Sequence, residues 1–219
     1  MTRFISIISL GSGTGKTTIA LNLGLALHQL NQKVLVFDAD FSKPNMLTHL
    51  DIGYLPVTLD EVFSADRHVF DAIYRHPSGL KIIPSLSLHD YAKVYDHLQD
   101  LLVDYDYVII DTPREEGPLR EVLKGANEAI IVHTPAYSSK IISDAKNLLK
   151  ELKILNLGII LNKSQEDSVN SMYELPVIAK FPEHRHVTQS FRMKHPVLHT
   201  HPRGPPARQF MNLGRKLVV

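Results

Sequence analysis

Ten consecutive residues carry most of the chemistry in this chain. Ser9-Leu10-Gly11-Ser12-Gly13-Thr14-Gly15-Lys16-Thr17-Thr18 follows the apolar run Phe4-Ile5-Ser6-Ile7-Ile8 and precedes Ile19-Ala20-Leu21-Asn22-Leu23. A strand that ends in glycines and turns into a helix at Lys16 aims successive backbone N–H groups at one spot, where the helix dipole also favours negative charge. That is the chemistry of a phosphate loop. Gly11, Ser12, Gly13, Thr14 and Gly15 supply the cradle, Lys16 reaches the β- and γ-phosphates, and the Thr17 hydroxyl ligates Mg²⁺. The strict pattern has a glycine five residues before Gly15, where this chain has Leu10. A plain glycine turn between strand and helix is the alternative, and it leaves the Lys-Thr-Thr unexplained.

A magnesium ion at such a loop takes few carboxylates and keeps several waters, so one Asp at a strand end, acting directly or through water, is enough. Asp111 closes the apolar run Tyr107-Val108-Ile109-Ile110 and is that candidate. A strand-terminal Asp that only caps a turn is the other reading. Asp38 and Asp40 end the run Lys33-Val34-Leu35-Val36-Phe37, and a spacing of two puts both on one side of an extended backbone. In that geometry Asp38 joins the Mg²⁺ shell while Asp40 faces the γ-phosphate and orients a water. Paired acids are also ordinary turn residues, as the following Ser42-Lys43-Pro44-Asn45 suggests.

The elements that must hold these residues alternate as in an α/β fold: a single doubly wound, mostly parallel sheet flanked by helices, spanning residues 1–219 as one domain. Strands are expected at 4–10, 33–37, 80–84, 107–110, 128–133, 157–161 and 176–181. The helix from Lys16 places Ile19, Leu23, Ala26, Leu27 and Leu30 on one stripe and ends at Asn31-Gln32. Thr58-Leu59-Asp60-Glu61 is a capping box opening a short helix. Further helices are expected at 91–102, 139–152 and 207–219, the last after Pro202-Arg203-Gly204-Pro205-Pro206.

Composition narrows the chemistry. The absence of cysteine removes disulfides, thiolate metal sites, iron–sulfur ligation and cysteine nucleophiles. The start of the chain runs straight into the glycine loop, which is not a secretory signal, and no apolar stretch nears the about 20 residues of a membrane span. A cytoplasmic location is expected, with peripheral membrane contact as a variant of it. From residue 180 onward eight basic residues face the single acid Glu183, an end suited to a polyanion, either nucleic acid or an anionic membrane surface. Five of the twelve histidines lie there too, at spacings that match no compact metal motif, and are expected to be scattered on the surface.

Taken in order, Gly-Ser-Gly-Thr-Gly-Lys-Thr-Thr, Val-Phe-Asp-Ala-Asp with Asn45 beyond it, Val-Ile-Ile-Asp-Thr-Pro, Ile-Ile-Leu-Asn-Lys and a late Phe-Pro-Glu resemble the MinD/ParA family of deviant phosphate-loop ATPases. The chain is most similar to the MinD branch, including archaeal MinD-like proteins. The resemblance implies that Lys16 contacts the terminal phosphates of ATP or ADP, Thr17 binds Mg²⁺ and Thr18 binds the α-phosphate. It implies that Asp40 positions the attacking water and that Asp38 and Asp111 stand around the metal. Asn45 falls in the first switch segment, Asn162 reads the adenine, and Pro182-Glu183 lines the base. It further implies an ATP-dependent homodimer, released by hydrolysis from a membrane, DNA or protein partner, in cell division or spatial positioning.

Two departures bear on catalysis. The family pattern Gly-Lys-Gly-Gly-x-Gly-Lys-Thr has a second lysine that crosses to the partner's nucleotide, and its position here is Gly11. Loss of a trans cation of this kind costs about two to four orders of magnitude in rate, on the scale of arginine-finger effects. After Asp111-Thr112-Pro113, Arg114-Glu115-Glu116-Gly117 replaces the family's Ala-Gly, and Arg114 either supplies the missing charge or belongs to a solvated charged loop. Three functions follow: a slow ATPase switch, a non-hydrolysing ATP-binding module that recruits a protein partner, and a DNA-partitioning ATPase.

Overall fold

The computed structural model describes residues 2–64, 67–86, 104–164 and 175–218. Eight strands form one sheet: β1 (Arg3–Ile8), β2 (Val34–Asp38), β3 (Tyr74–Arg75), β4 (Lys81–Ile83), β5 (Tyr107–Asp111), β6 (Glu128–His133), β7 (Leu155–Ser164) and β8 (Val177–Pro182). Their order is β3-β4-β2-β5-β1-β6-β7-β8, parallel throughout except for the short β3. β1 stands between β5 and β6, so the chain winds to both sides of it. The crevice at its carboxyl end is where an open α/β sheet takes a ligand.

Strands buried on both faces read as continuous apolar runs, and the helices explain why here. Helices α1 (Lys16–Gln29), α2 (Met46–Leu50), α7 (Val197–Thr200) and α8 (Pro205–Leu217) share one core with Ile5, Ile7, Val36 and Ile109. On the opposite face α3 (Leu59–Ser64) and the turn Val69–Ala72 pack on Phe4, Phe37 and Ile110. α4 (Glu116–Leu123) and α5 (Lys140–Glu151) cover Ile8, Ile131 and Leu161 on that same face. The remaining helix, α6 (Arg185–Arg192), is polar and buries only Ser190.

The expected strands are all present, 128–133 with the expected bounds and the others with shifted ends; β1 stops at Ile8, and β7 runs from Leu155 to Ser164. The capping box forms, with Thr58 N–H donating to Glu61 Oε2 at 2.8 Å and Glu61 N–H donating to Thr58 Oγ1 at 3.3 Å. The helix expected at 91–102 lies outside the described residues. The single stripe expected on α1 is a correction: every residue from Ile19 to Leu27 is buried, because α8 and α7 close over the helix from the side away from the sheet. The helix also lies close on β2, where a Cβ at Gly24 would stand 2.4 Å from Val36 Cγ2. Asn22, itself buried, donates to the Thr18 carbonyl at 2.9 Å and accepts from Leu198 N–H at 3.2 Å, fastening α7.

α8 presents Phe210, Leu213 and Leu217 to the core, with the Phe210 ring stacked 4.2 Å from that of Phe181, while Arg208, Arg215 and Lys216 stay in water. Its carboxyl end is tied to the amino edge of the sheet, where the Leu217 carbonyl accepts from both Arg3 and the Tyr107 hydroxyl. Arg3 in turn forks onto Glu128 at 2.8 and 3.1 Å. Among the described residues no helix is long and apolar enough to cross a membrane.

The histidines correct a second expectation. They are not scattered: His76, His195 and His199 have ring centres 5.0–5.7 Å apart, and His184, His186 and His201 form another group at 4.3–4.5 Å. In the first group Ser78 N–H donates to His76 Nδ1 at 3.1 Å, and His76 Nε2 meets His195 Nδ1 at 2.9 Å. Burial, then the neighbouring imidazoles, lower the His76 pKa to about 4. Neither group is arranged to hold a metal ion among the described residues.

Candidate functional site

The glycine loop leaves β1 at the carboxyl edge and enters α1 at Lys16. Gly13 and Gly15 have φ of +61° and +92°, a region in which a side chain is strained, so glycine is required at both. Gly11 differs: its φ lies outside that region, and what it avoids is contact. A Cβ on Gly11 would stand 3.1 Å from Thr14 Cγ2 and 3.2 Å from two ring carbons of Tyr137.

Three consecutive carbonyls of the loop are held from outside by side chains of the β6 and β7 ends. The Tyr137 hydroxyl donates to Ser12 at 2.6 Å, Lys163 Nζ to Gly13 at 3.0 Å and Asn162 Nδ2 to Thr14 at 2.7 Å. In a trans peptide the carbonyl and the following N–H point in opposite directions. Holding these carbonyls outward therefore turns the N–H groups of Gly13, Thr14 and Gly15 inward, toward one anion. Lys163 itself has φ of +52°, a left-handed conformation at a break in the β7–β8 register. Asn162 was expected on the base; its amide nitrogen is spent on the loop, although the residue also lines the cavity beside it.

On the other flank are the acids. Asp38 and Asp111 face each other across β2 and β5, with 0% and 2% of their surface exposed. Asp38 accepts from the N–H groups of Asp40 at 3.1 Å and Met46 at 3.4 Å. Burial, and then the neighbouring Asp111, push its pKa well above the usual carboxylate range. Burial likewise raises Asp111 to about 6, against the pull of the Lys16 ammonium and the Thr17 hydroxyl. Asp111 Oδ1 is buried without a hydrogen-bond partner among the described residues. An orphaned carboxylate oxygen beside a lysine and a threonine fits a divalent cation, which would satisfy it.

Asp40 departs from the expected geometry. β2 ends at Asp38, and Asp40 sits in the turn beyond it, accepting from Ser42 Oγ at 2.9 Å and Lys43 N–H at 3.1 Å. Only Asp40 of the pair reaches solvent; Asp38 is sealed beneath it. The turn reading is therefore correct in part, and it still leaves Asp40 on the wall of a cavity of about 280 Å³ shared with Gly13–Thr18, Asn45 and His49. Arg114 pairs with Glu115 at 3.1 Å, with Lys43 3.9 Å from the same carboxylate, in a charged surface network between the two segments.

A second cavity, about 430 Å³, meets the first at Gly15 and Thr18. Asn162, Phe181, Pro182 and Glu183 line it, as does Thr188 of α6, a helix the sequence reading did not anticipate. His49 and Tyr137 were likewise missed. Neither stands in a motif, and only folding brings them to the loop.

A model of the CobQ/CobB/MinD/ParA nucleotide binding domain matches residues 5–191. An ATP-binding protein of Methanocaldococcus jannaschii is 33% identical over 98% of this chain and 87% of its own length. The septum site-determining protein MinD of Synechocystis is 27% identical over 99% and 90%. Among solved structures, MinD of Pyrococcus horikoshii complexed with Mg-ADP matches with a TM-score of 0.89 at 28% identity, covering 100% of this chain and 96% of that one. With its phosphate-type loop at the switch point of a parallel sheet, the chain belongs to the CobQ/CobB/MinD/ParA nucleotide-binding domain family.

Proposed function

We propose that this chain binds ATP with Mg²⁺ and acts as a nucleotide-dependent switch in spatial positioning of the MinD type, with slow hydrolysis. The carrying observation is the pair of cavities that meet at Gly15 and Thr18, one walled by the loop and Asp40, the other by Asn162 and Pro182. A triphosphate fits the first and a nucleoside the second. In this reading the inward N–H groups of the loop and Lys16 hold the β- and γ-phosphates, and Thr18 holds the α-phosphate. Thr17 and Asp111 are the metal's protein ligands, with Asp38 behind Asp111 fixing the shell. Magnesium supplies neutralisation of the phosphate charge. Asp40 orients the attacking water from its turn.

Slow turnover rests on the same geometry. Gly11 brings no cation, and Arg114 is engaged by Glu115 rather than the loop. A second reading, a non-hydrolysing module whose ATP orders the Asp40–Leu50 and Asp111–Glu116 segments for a protein partner, draws on the same two observations at Gly11 and Arg114. The Lys16→Ala variant tests the binding proposal. Titration calorimetry with Mg-ATP is expected to show at least a hundredfold loss of affinity, and unchanged binding would overturn it. Turnover of the unaltered protein and of Arg114→Ala separates the two readings: a measurable rate favours the ATPase, and a rate unchanged in Arg114→Ala removes Arg114 from it. The exposed Arg208, Arg215 and Lys216 motivate DNA or anionic-membrane contact, tested by salt-sensitive DNA retention and by vesicle co-sedimentation.

A further inference from the structure

We infer that Tyr137 is a positioning residue of the phosphate loop, and that Gly11 and Tyr137 are a matched pair in which the small residue exists to admit the ring. Tyr137 leaves the end of β6 on a turn, its N–H donating to the Thr134 carbonyl at 3.0 Å, and Thr134 is buried. The phenol therefore projects from a fixed base, although the residue itself is 36% exposed. Its ring lies against the Gly11 backbone and its hydroxyl holds the Ser12 carbonyl. Two adjacent peptides of the loop are thus constrained by one side chain.

The backbone argument gives the hydroxyl its role. Of the three inward amides, that of Gly13 is set by Tyr137 alone, since Lys163 and Asn162 act on the next two peptides. Without the hydroxyl bond the Ser12–Gly13 peptide is free to rotate about glycine torsions, which are the most permissive in the chain. A flipped peptide presents a carbonyl to the phosphate instead of a donor. The ring has a separate role. The φ of Gly11 lies outside the left-handed region, so the cost of a side chain there is crowding, against the phenol at 3.2 Å and Thr14 Cγ2 at 3.1 Å. Tyr137 thereby presets the loop within a single chain before any ligand arrives.

The test uses the nucleotide-free protein and its Mg-ADP complex, and its affinity arm rests on the nucleotide-binding proposal above. Hydrogen exchange across residues 11–16 is measured in Tyr137→Phe and Tyr137→Ala, alongside Mg-ADP affinity. Removing one hydroxyl bond is expected to speed exchange and weaken Mg-ADP about fivefold in Tyr137→Phe. Tyr137→Ala is expected to change both by tenfold or more, with the circular dichroism of the fold intact. Gly11→Leu is expected to weaken binding by more than tenfold beside Tyr137 and to recover most of that loss beside Tyr137→Ala. Loop exchange at the unaltered rate in Tyr137→Ala overturns the inference, as does faster exchange with unchanged Mg-ADP affinity. Equal cost of Gly11→Leu in both backgrounds overturns the pairing. If the unaltered protein does not bind Mg-ADP, the nucleotide proposal fails, and the exchange measurement still decides for or against Tyr137.

Discussion

The two flanks of the phosphate loop are built on opposite terms. On the β2–β5 side Asp38 and Asp111 are sealed from solvent, and one oxygen of Asp111 has no hydrogen-bond partner among the described residues. On the β6–β7 side the polar groups are donors, each already engaged with a loop carbonyl. An unmade bond in a buried place costs stability, whereas a made one contributes modestly to it. On the proposal above, the acid flank is a site kept ready for a cation at the expense of the metal-free fold. The donor flank holds the loop's shape whether or not a ligand is present.

The sharpest way to break this contrast is Asp111→Asn. Mg²⁺ is expected to strengthen nucleotide binding at least tenfold in the unaltered protein and to give almost none of that gain in the variant. Chelation with EDTA should accordingly cost the variant little. The metal-free variant is also expected to melt higher at pH 8, since a buried charge has been removed. Equal magnesium dependence in both proteins would dissolve the distinction between the flanks. Asn162→Ala probes the other side. About fivefold to tenfold weaker nucleotide binding is expected from the lost loop bond and cavity wall, with the magnesium gain preserved.

Smaller effects belong away from both flanks. His76 is held neutral as an acceptor for Ser78 N–H, with its pKa lowered to about 4 from 6.5. Below pH 6.5 the unfolded chain binds this proton and the folded one does not, so stability is complete above 6.5 and declines as pH falls toward 4. Melting temperatures at pH 7 and 5 should show this decline, and His76→Asn, which keeps an acceptor without a titration, should flatten it. Arg120 forks onto Glu151 and also meets Glu116 at the surface, where solvent screening leaves such pairs little stabilising effect. Arg120→Ala is expected to leave nucleotide affinity unchanged and to shift the melting temperature only slightly.

Legibility followed locality. The loop, Asp111 and the capping box are written in contiguous residues, so sequence alone located them. α1 could not be read as buried all round, because the cover comes from Leu198 and Phe210, far along the chain. α4 hid behind Gly117 and Pro118, which suggest a loop but lie in the first turn of a helix, where proline is tolerated. α6 has only Val187 and Phe191 as an apolar face, and its N-terminus is capped by His184, which accepts from His186 N–H. Tyr137 is the extreme case. Nothing in Thr134-Pro135-Ala136-Tyr137 marks it, and its meaning arises only when β6 delivers it to a loop 125 positions earlier.

The tie between Leu217, Arg3 and Tyr107 lies at the amino edge of the sheet, a full strand of roughly 20 Å from the phosphate loop. The two ends of the described chain are thus neighbours. A reporter fused after Leu217 departs on the side away from the nucleotide cavities. A short linker between the ends would permit circular permutation, with new termini opened elsewhere and the loop's connection to β1 and α1 preserved.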